Sequence, residues 1–245
     1  MLTSLADGTL LAEKTGATPP TVIALHGWGR TGADFAPIVE GLDAVAIHLP
    51  GFGITPPPAE VWGSPEYAED VAAAIAGFGP VIIVAHSFGG RVAVNLAQKH
   101  PELVRGLVLT GAPLKRLVAA PTPSFGYRVF RRLGRMGLIS TKTMQAQREK
   151  HSSEDYRNAH GIMREIFVKV VNESYDEQLR AVRAPTRMVW GALDTGAPPD
   201  AAEAASQLIA GAQFTLVPGG VHLLEGATRD EVRRQLLELI TEVNA

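Results

Sequence analysis

The stretch Val81-Ile82-Ile83-Val84-Ala85-His86-Ser87-Phe88-Gly89-Gly90-Arg91 decides how the rest of the chain reads. Its first half is a continuous run of Val and Ile. Continuous rather than alternating apolarity predicts a strand buried on both faces. A helical pattern then begins at once: Val92, Ala93, Leu96 and Ala97 share one face, and the pattern stops at His100-Pro101. Between strand and helix lies Ala85-His86-Ser87-Phe88-Gly89, a small-x-Ser-x-Gly turn. Small residues are needed two before and two after the serine because the backbone reverses too tightly for larger side chains. Such a turn forces the serine into a strained backbone region and presents its hydroxyl at the sheet edge. The helix N-terminus behind it offers free N–H groups and a positive dipole end to a developing oxyanion. An ordinary strand-to-helix turn with an incidental serine is the plainer reading; the strand before and the helix after favour the chemical one.

The same alternation extends in both directions. Short apolar runs lie at Val22–Leu25, Val45–Leu49, Leu107–Leu109, Met188–Trp190 and Phe214–Val217, each followed by Gly, Pro or Asp. Helical patterns separate them. Ser64-Pro65 reads as an N-cap followed by Pro at the first helical position, leading to Tyr67, Val71 and Ile75. Thr228 and Glu231 read as a capping box before Val232, Leu236, Leu239, Ile240 and Val243. Strands alternating with helices predict an α/β fold with a mainly parallel sheet. From about Leu114 to Arg183 no strand-like run occurs. Ser152 or Ser153 is placed to cap a helix whose apolar face is Tyr156, Ala159, Ile162, Met163, Ile166, Phe167 and Val170. A helical insertion of that length predicts a lid, so residues 1–113 and 184–245 read as core and 114–183 as cap.

Composition narrows the class. Of 245 residues, 46% are apolar and 20% charged, as in globular domains, and the net charge of −2 argues against nucleic acid. Cysteine is absent, which excludes disulfides, thiolate metal sites and a cysteine nucleophile. No apolar run reaches the ~18 residues of a membrane span. The N-terminal MLTSLADGTLLAEKTG carries acids early and no long apolar core, so no secretory signal is expected and a cytoplasmic location is.

Three further segments carry candidate chemistry. His26-Gly27-Trp28-Gly29 follows a strand, and a Gly-rich turn there can aim a backbone N–H at the serine. The N–H groups of Trp28 and Phe88 are the candidate oxyanion donors, while His26 reads as structural. Met188-Val189-Trp190-Gly191-Ala192-Leu193-Asp194 ends a strand in an acid, which can orient a histidine. Asp200, the alternative acid, fits better at the start of the helix after Pro198-Pro199. Of seven histidines, only His222 lies beyond Asp194, after a strand and Gly219-Gly220. Each of these residues has a bland reading alone. Together Ser87, Asp194 and His222 follow the chain order Ser…Asp…His of one triad topology.

On these residues the chain resembles the α/β-hydrolase fold over nearly its whole length. The matching motifs are His26-Gly27-Trp28-Gly29, Leu49-Pro50-Gly51-Phe52-Gly53, the turn around Ser87, Trp190-Gly191 before Asp194, and Gly220-Val221-His222. The resemblance extends to small carboxylesterases, C–C bond hydrolases and proline iminopeptidases. It implies a mainly parallel sheet with helices on both faces and a helical cap at 114–183. It also implies ester hydrolysis through an acyl-enzyme on Ser87, with no cofactor and a small-molecule ester as partner. A C–C hydrolase or lactonase with the same triad, and a small-ligand receptor, are the alternatives. Three departures stand out: Ala85 replaces the usual Gly, His48 stands where Asp is frequent, and the short N-terminal arm is expected to lack the first strand.

Other signals are weak. Asn172-Glu173-Ser174 is a glycosylation sequon with no secretory context, the histidines lack metal-ligand spacing, and Gly51-Phe52-Gly53 lacks a third Gly and an opening helix. Charge in the cap is uneven. Nine basic residues (Lys115, Arg116, Arg128, Arg131, Arg132, Arg135, Lys142, Arg148, Lys150) face one acid, Glu149, between Leu114 and Lys150. Phe130, Leu133 and Met136 interleave with Arg131, Arg132 and Arg135. A solvated helix face, steering of anionic substrates, and a basic amphipathic surface for a membrane or partner all fit that pattern.

Overall fold

The computed structural model describes residues 1–117, 132, 136 and 153–245. Its strands are β1 (Leu2–Leu5), β2 (Leu10–Thr15), β3 (Val22–Leu25), β4 (Ala44–His48), β5 (Val81–His86), β6 (Val104–Thr110), β7 (Thr186–Gly191) and β8 (Gln213–Val217). They form one sheet in the order β1-β2-β4-β3-β5-β6-β7-β8. Strands β3 to β8 are parallel, while β1 pairs antiparallel with β2 and β2 with β4. The six apolar runs are therefore the parallel strands. β3, β4, β5 and β7 are buried at every position, as continuous apolarity requires, whereas the edge strand β8 is only partly covered.

Alternate residues serve two cores. Ile23, Leu25, Ile83, Ala85, Met188 and Trp190 pack with Tyr67 and Val71 of α2 (Ser64–Ile75) and Val92 and Leu96 of α3 (Phe88–Lys99). Val22, Ala24, Ile82, Val84 and Val189 pack on the other face with Ile38 and Val39 of α1 (Ala36–Val39) and Val232, Leu236 and Leu239 of α8 (Gly226–Asn244). The expected fold class, helices on both faces of a mainly parallel sheet, is what the chain adopts. No helix among the described residues is long and apolar enough to cross a membrane.

Four expectations need correction. The N-terminal arm does supply strands: β1 and β2 form a hairpin on the sheet edge, with half-exposed alternation in place of an apolar run. Ser64 is not the N-cap of α2. Gly63 is, and Glu66 reaches back to the Gly63 N–H at 2.6 Å. The capping box at Thr228 is also absent, because α8 begins two residues earlier and the Thr228 hydroxyl turns back to the Val221 carbonyl. Finally, the single helix expected from about 153 to 170 is two. Ser153 caps α4 (Glu154–Asn158), and Gly161, at φ 53°, precedes α5 (Ile162–Val171). Two short helices complete the described set, α6 (Asp176–Ala181) and α7 (Pro199–Ser206). Ser152 and six of the nine basic residues between 114 and 150 (Arg128, Arg131, Arg135, Lys142, Arg148 and Lys150) lie outside the described residues, as do Phe130 and Leu133. Lys115 pairs with Asp176 at 2.9 Å, Arg116 donates to the Val171 carbonyl, and Arg132 is exposed.

Candidate active site

Parallel strands bring their carboxyl ends to one edge, and the loops that leave β3, β5, β7 and β8 there carry Trp28, Ser87, Asp194 and His222. Ser87 follows β5 directly with φ 50° and ψ −111°, a region that costs a non-glycine residue roughly 1–3 kcal/mol and persists only where the surroundings enforce it. Two things enforce it here. The Ser87 N–H donates to the Thr110 carbonyl at 2.9 Å, and the Gly89 N–H donates to the His26 carbonyl at 3.0 Å. Gly89 has to be glycine, since a Cβ there would lie 2.2 Å from the Leu25 carbonyl oxygen. Ala85, in place of the usual Gly, is wholly buried between Leu25 and Leu109.

The turn after β3 lies against the serine. A Cβ on Gly27 would sit 2.8 Å from the His86 Nδ1 and 3.3 Å from the Ser87 Cβ, so glycine lets the turn come this close. Trp28 is held edge-on by Phe52, Phe88 and Phe167, with ring centroids 4.9, 5.3 and 5.0 Å away. Phe88 is the first residue of α3, so its N–H has no partner within the helix. His26 is a structural pin. Its Nδ1–H donates to the Gly27 carbonyl at 2.7 Å and its Nε2 accepts from the Leu49 N–H at 3.0 Å, a pattern that needs the neutral ring. Burial pushes its pKa down to about 4. His48 is buried with its Nε2 3.5 Å from the Glu13 carboxylate, and its ring fills the space a side chain on Gly53 would need.

Asp194 and His222 meet. The His222 Nδ1 is 2.9 Å from both carboxylate oxygens of Asp194. Asp194 is 4% exposed, and its Oδ1 also accepts the Gly196 and Ala197 N–H groups at 2.8 and 2.7 Å, so the buried charge is satisfied and its plane fixed. Asp200 lies in the first turn of α7, where its carboxylate accepts from the adjacent Ala201 N–H. His222 reaches its place because Gly220 packs on Gly191 and accepts the Leu193 N–H at 2.8 Å. Its Nε2 has no hydrogen-bond partner among the described residues. Ser87 and His222 are not bonded to each other directly. They line one cavity of about 740 Å³, a separation usual before substrate arrives.

Sequence reasoning missed other residues at this cavity. From α4, Glu154 and Asp155 line it; burial pushes the Asp155 carboxyl up, and nearby His222 opposes the push. Arg30 lines it too, held by Asp34 at 2.6 and 3.0 Å. His86 contacts His222 through the 2.9 Å approach of its Nε2 to the His222 carbonyl oxygen. Nothing in local pattern marks the approach of α4 or of His86 to His222, because each joins residues far apart in sequence. No group of three or more His, Asp or Glu residues among the described residues is arranged to hold a metal ion.

Comparison with known proteins agrees with this architecture. The family model for the alpha/beta hydrolase fold matches residues 20–138. A pimeloyl-[acyl-carrier protein] methyl ester esterase of Aeromonas hydrophila is 31% identical over 150 residues, covering 56% of this chain and 58% of that protein. The corresponding Xanthomonas axonopodis esterase is 25% identical over 247 residues, covering 91% and 96%. Against the first curated relatives the chain spans between 36% and 58% of their length. Among solved structures, an esterase of Exiguobacterium antarcticum superposes with a TM-score of 0.71 at 20% identity, covering 100% of this chain and 99% of that one.

Proposed function

The chain is an α/β-hydrolase-fold protein, and on that premise we propose that it is a serine hydrolase cleaving a small or medium carboxylic ester. The observation that carries the reading is a serine at positive φ sharing one cavity with a histidine that a buried carboxylate already orients. In this reading Ser87 attacks the ester carbonyl while the His222 Nε2 takes its proton. Asp194 fixes the proton on Nδ1 and stabilises the imidazolium. The Trp28 and Phe88 N–H groups hold the oxyanion, the alcohol leaves with the proton that His222 returns, and water activated by His222 releases the acid. The chemistry needs no cofactor. We read 114–183 as the cap, whose α4 walls the cavity opposite the sheet edge. The ester-cleaving relatives support the same class.

A panel of p-nitrophenyl esters of rising acyl length, run beside a vinylogous diketone, tests the reaction class. Ester turnover is expected to exceed C–C cleavage throughout. In a comparable triad, losing the base cost ~10⁶-fold in kcat and losing the acid ~10⁴-fold. His222→Ala is therefore expected to fall further than Asp194→Asn. Wild-type protein that cleaves the diketone and none of the esters would replace this reading with C–C hydrolysis.

A further inference from the structure

His86 is the last residue of β5 and precedes Ser87. Its side chain is almost wholly buried, 3% exposed, and its ring lies 5.0 Å from that of His222. Its Nε2 is 2.9 Å from the backbone carbonyl oxygen of His222. A carbonyl only accepts, so Nε2 carries the proton and Nδ1 is a bare lone pair. That lone pair has no hydrogen-bond partner among the described residues and faces Gly27, where a Cβ would come within 2.8 Å of it. A second proton on the ring would meet no acceptor there, and burial pushes the pKa down to about 4, so the ring stays neutral beside His222. Gly111 keeps the passage between the two rings open: a Cβ on it would lie 3.1 Å from the His86 Nε2 and 3.2 Å from the His222 Cε1.

The consequence concerns spacing. The His222 side chain is held by Asp194, and its loop by the Leu193 N–H on the Gly220 carbonyl. Neither ties His222 to the serine. We propose that His86 is a positioning residue, whose Nε2–H fastens the main chain of His222 to the residue adjoining Ser87. One peptide bond and one hydrogen bond then connect nucleophile and base. The proposal rests on the serine-hydrolase reading and adds to it the part that registers the two groups.

The test compares His86→Leu with His86→Gln in the full chain. Leu fills the space without a donor, while Gln keeps a side-chain N–H of similar reach. Loss of such a supporting contact costs ~10–100-fold in rate, so His86→Leu is expected to lower kcat by that factor with KM within about twofold. His86→Gln should recover at least half of the loss on a logarithmic scale. A kcat for His86→Leu within twofold of wild type, or a folded His86→Gln no better than His86→Leu, overturns the proposal. A second measurement uses the wild type alone and does not depend on either variant folding. Imidazole ¹⁵N–¹H correlation spectra should show His86 as the Nε2–H tautomer between pH 6 and 8. An Nδ1–H tautomer, or a doubly protonated ring, overturns it equally. Wild-type protein that turns over no ester would remove the hydrolase reading instead, while the spectra still decide whether the His86–His222 bond exists.

Discussion

Two buried imidazoles, His26 and His86, belong to the turns that meet at Ser87, and burial holds both near a pKa of about 4. An unfolded chain would protonate them near ~6.5. Between those values the unfolded state binds protons that the folded state refuses, so stability rises with pH there and is lost as pH falls from 6.5 toward 4. The loss is on the order of 3 kcal/mol per ring by pH 4. Guanidinium unfolding at pH 8, 7, 6 and 5 should therefore give equal free energies at the first two values and a marked fall by pH 5. Ordinary carboxylates titrate near ~4 and leave this window to the histidines. A free energy unchanged down to pH 5 would contradict the buried, neutral assignment. At this scale chain order was informative about which residues meet, as Asp194 and His222 do. Only His222 follows Asp194, and His26 sits on its own turn. The task of His86 was illegible, because nothing near residue 86 tells which carbonyl will lie opposite it.

Among elements, α5 shows how tightly the segment before β7 is bound to the sheet and its helices. Met163 seats on Gly51, where φ is 88° and a Cβ would lie 2.3 Å from the thioether sulfur. Phe167 leans on Trp28, and Arg91, buried in α3, donates to the Val170 carbonyl. Just beyond the helix, Glu173 accepts from the Ser64 N–H and hydroxyl and from the Tyr175 hydroxyl at 2.6 Å. This explains why Ser64 does not cap α2: its hydroxyl serves a partner 109 residues away, which local pattern cannot reveal. Glu173→Ala leaves the Ser64 N–H without its acceptor and the Ser64 and Tyr175 hydroxyls with only each other as acceptor, 3.1 Å apart, and each buried polar group so stranded costs about 1–3 kcal/mol. The denaturant midpoint is expected to fall by at least one such increment with the m-value unchanged. An unaltered midpoint would mean that the contact between Glu173 and Ser64 contributes nothing. Strand prediction succeeded for β3, β4, β5 and β7 because burial on both faces writes itself as unbroken apolarity, and for β8 because its run stays apolar although the edge leaves it partly exposed. It failed for β1 and β2 because a half-exposed edge hairpin does not.

Taken as one molecule, the chain brings three loops, centred on residues 87, 194 and 222, to a single sheet edge, and the parallel order β5-β6-β7-β8 dictates which loops become neighbours. That part was legible because a buried parallel sheet with right-handed crossovers leaves few topologies open. The charge of the insertion was legible only as composition. Lys115 turns out to pair with Asp176 and Arg116 to hold the Val171 carbonyl, so those two serve contacts within the stretch 114–183. The central claim is that Ser87 is the nucleophile of this assembled edge, and a fluorophosphonate probe asks that directly, since it forms a covalent bond only with an activated serine. Peptide mapping of the labelled wild type should place the adduct on Ser87 alone, and Ser87→Ala, with an unchanged circular dichroism spectrum, should take up no label. Equal labelling of Ser87→Ala and wild type would contradict the account.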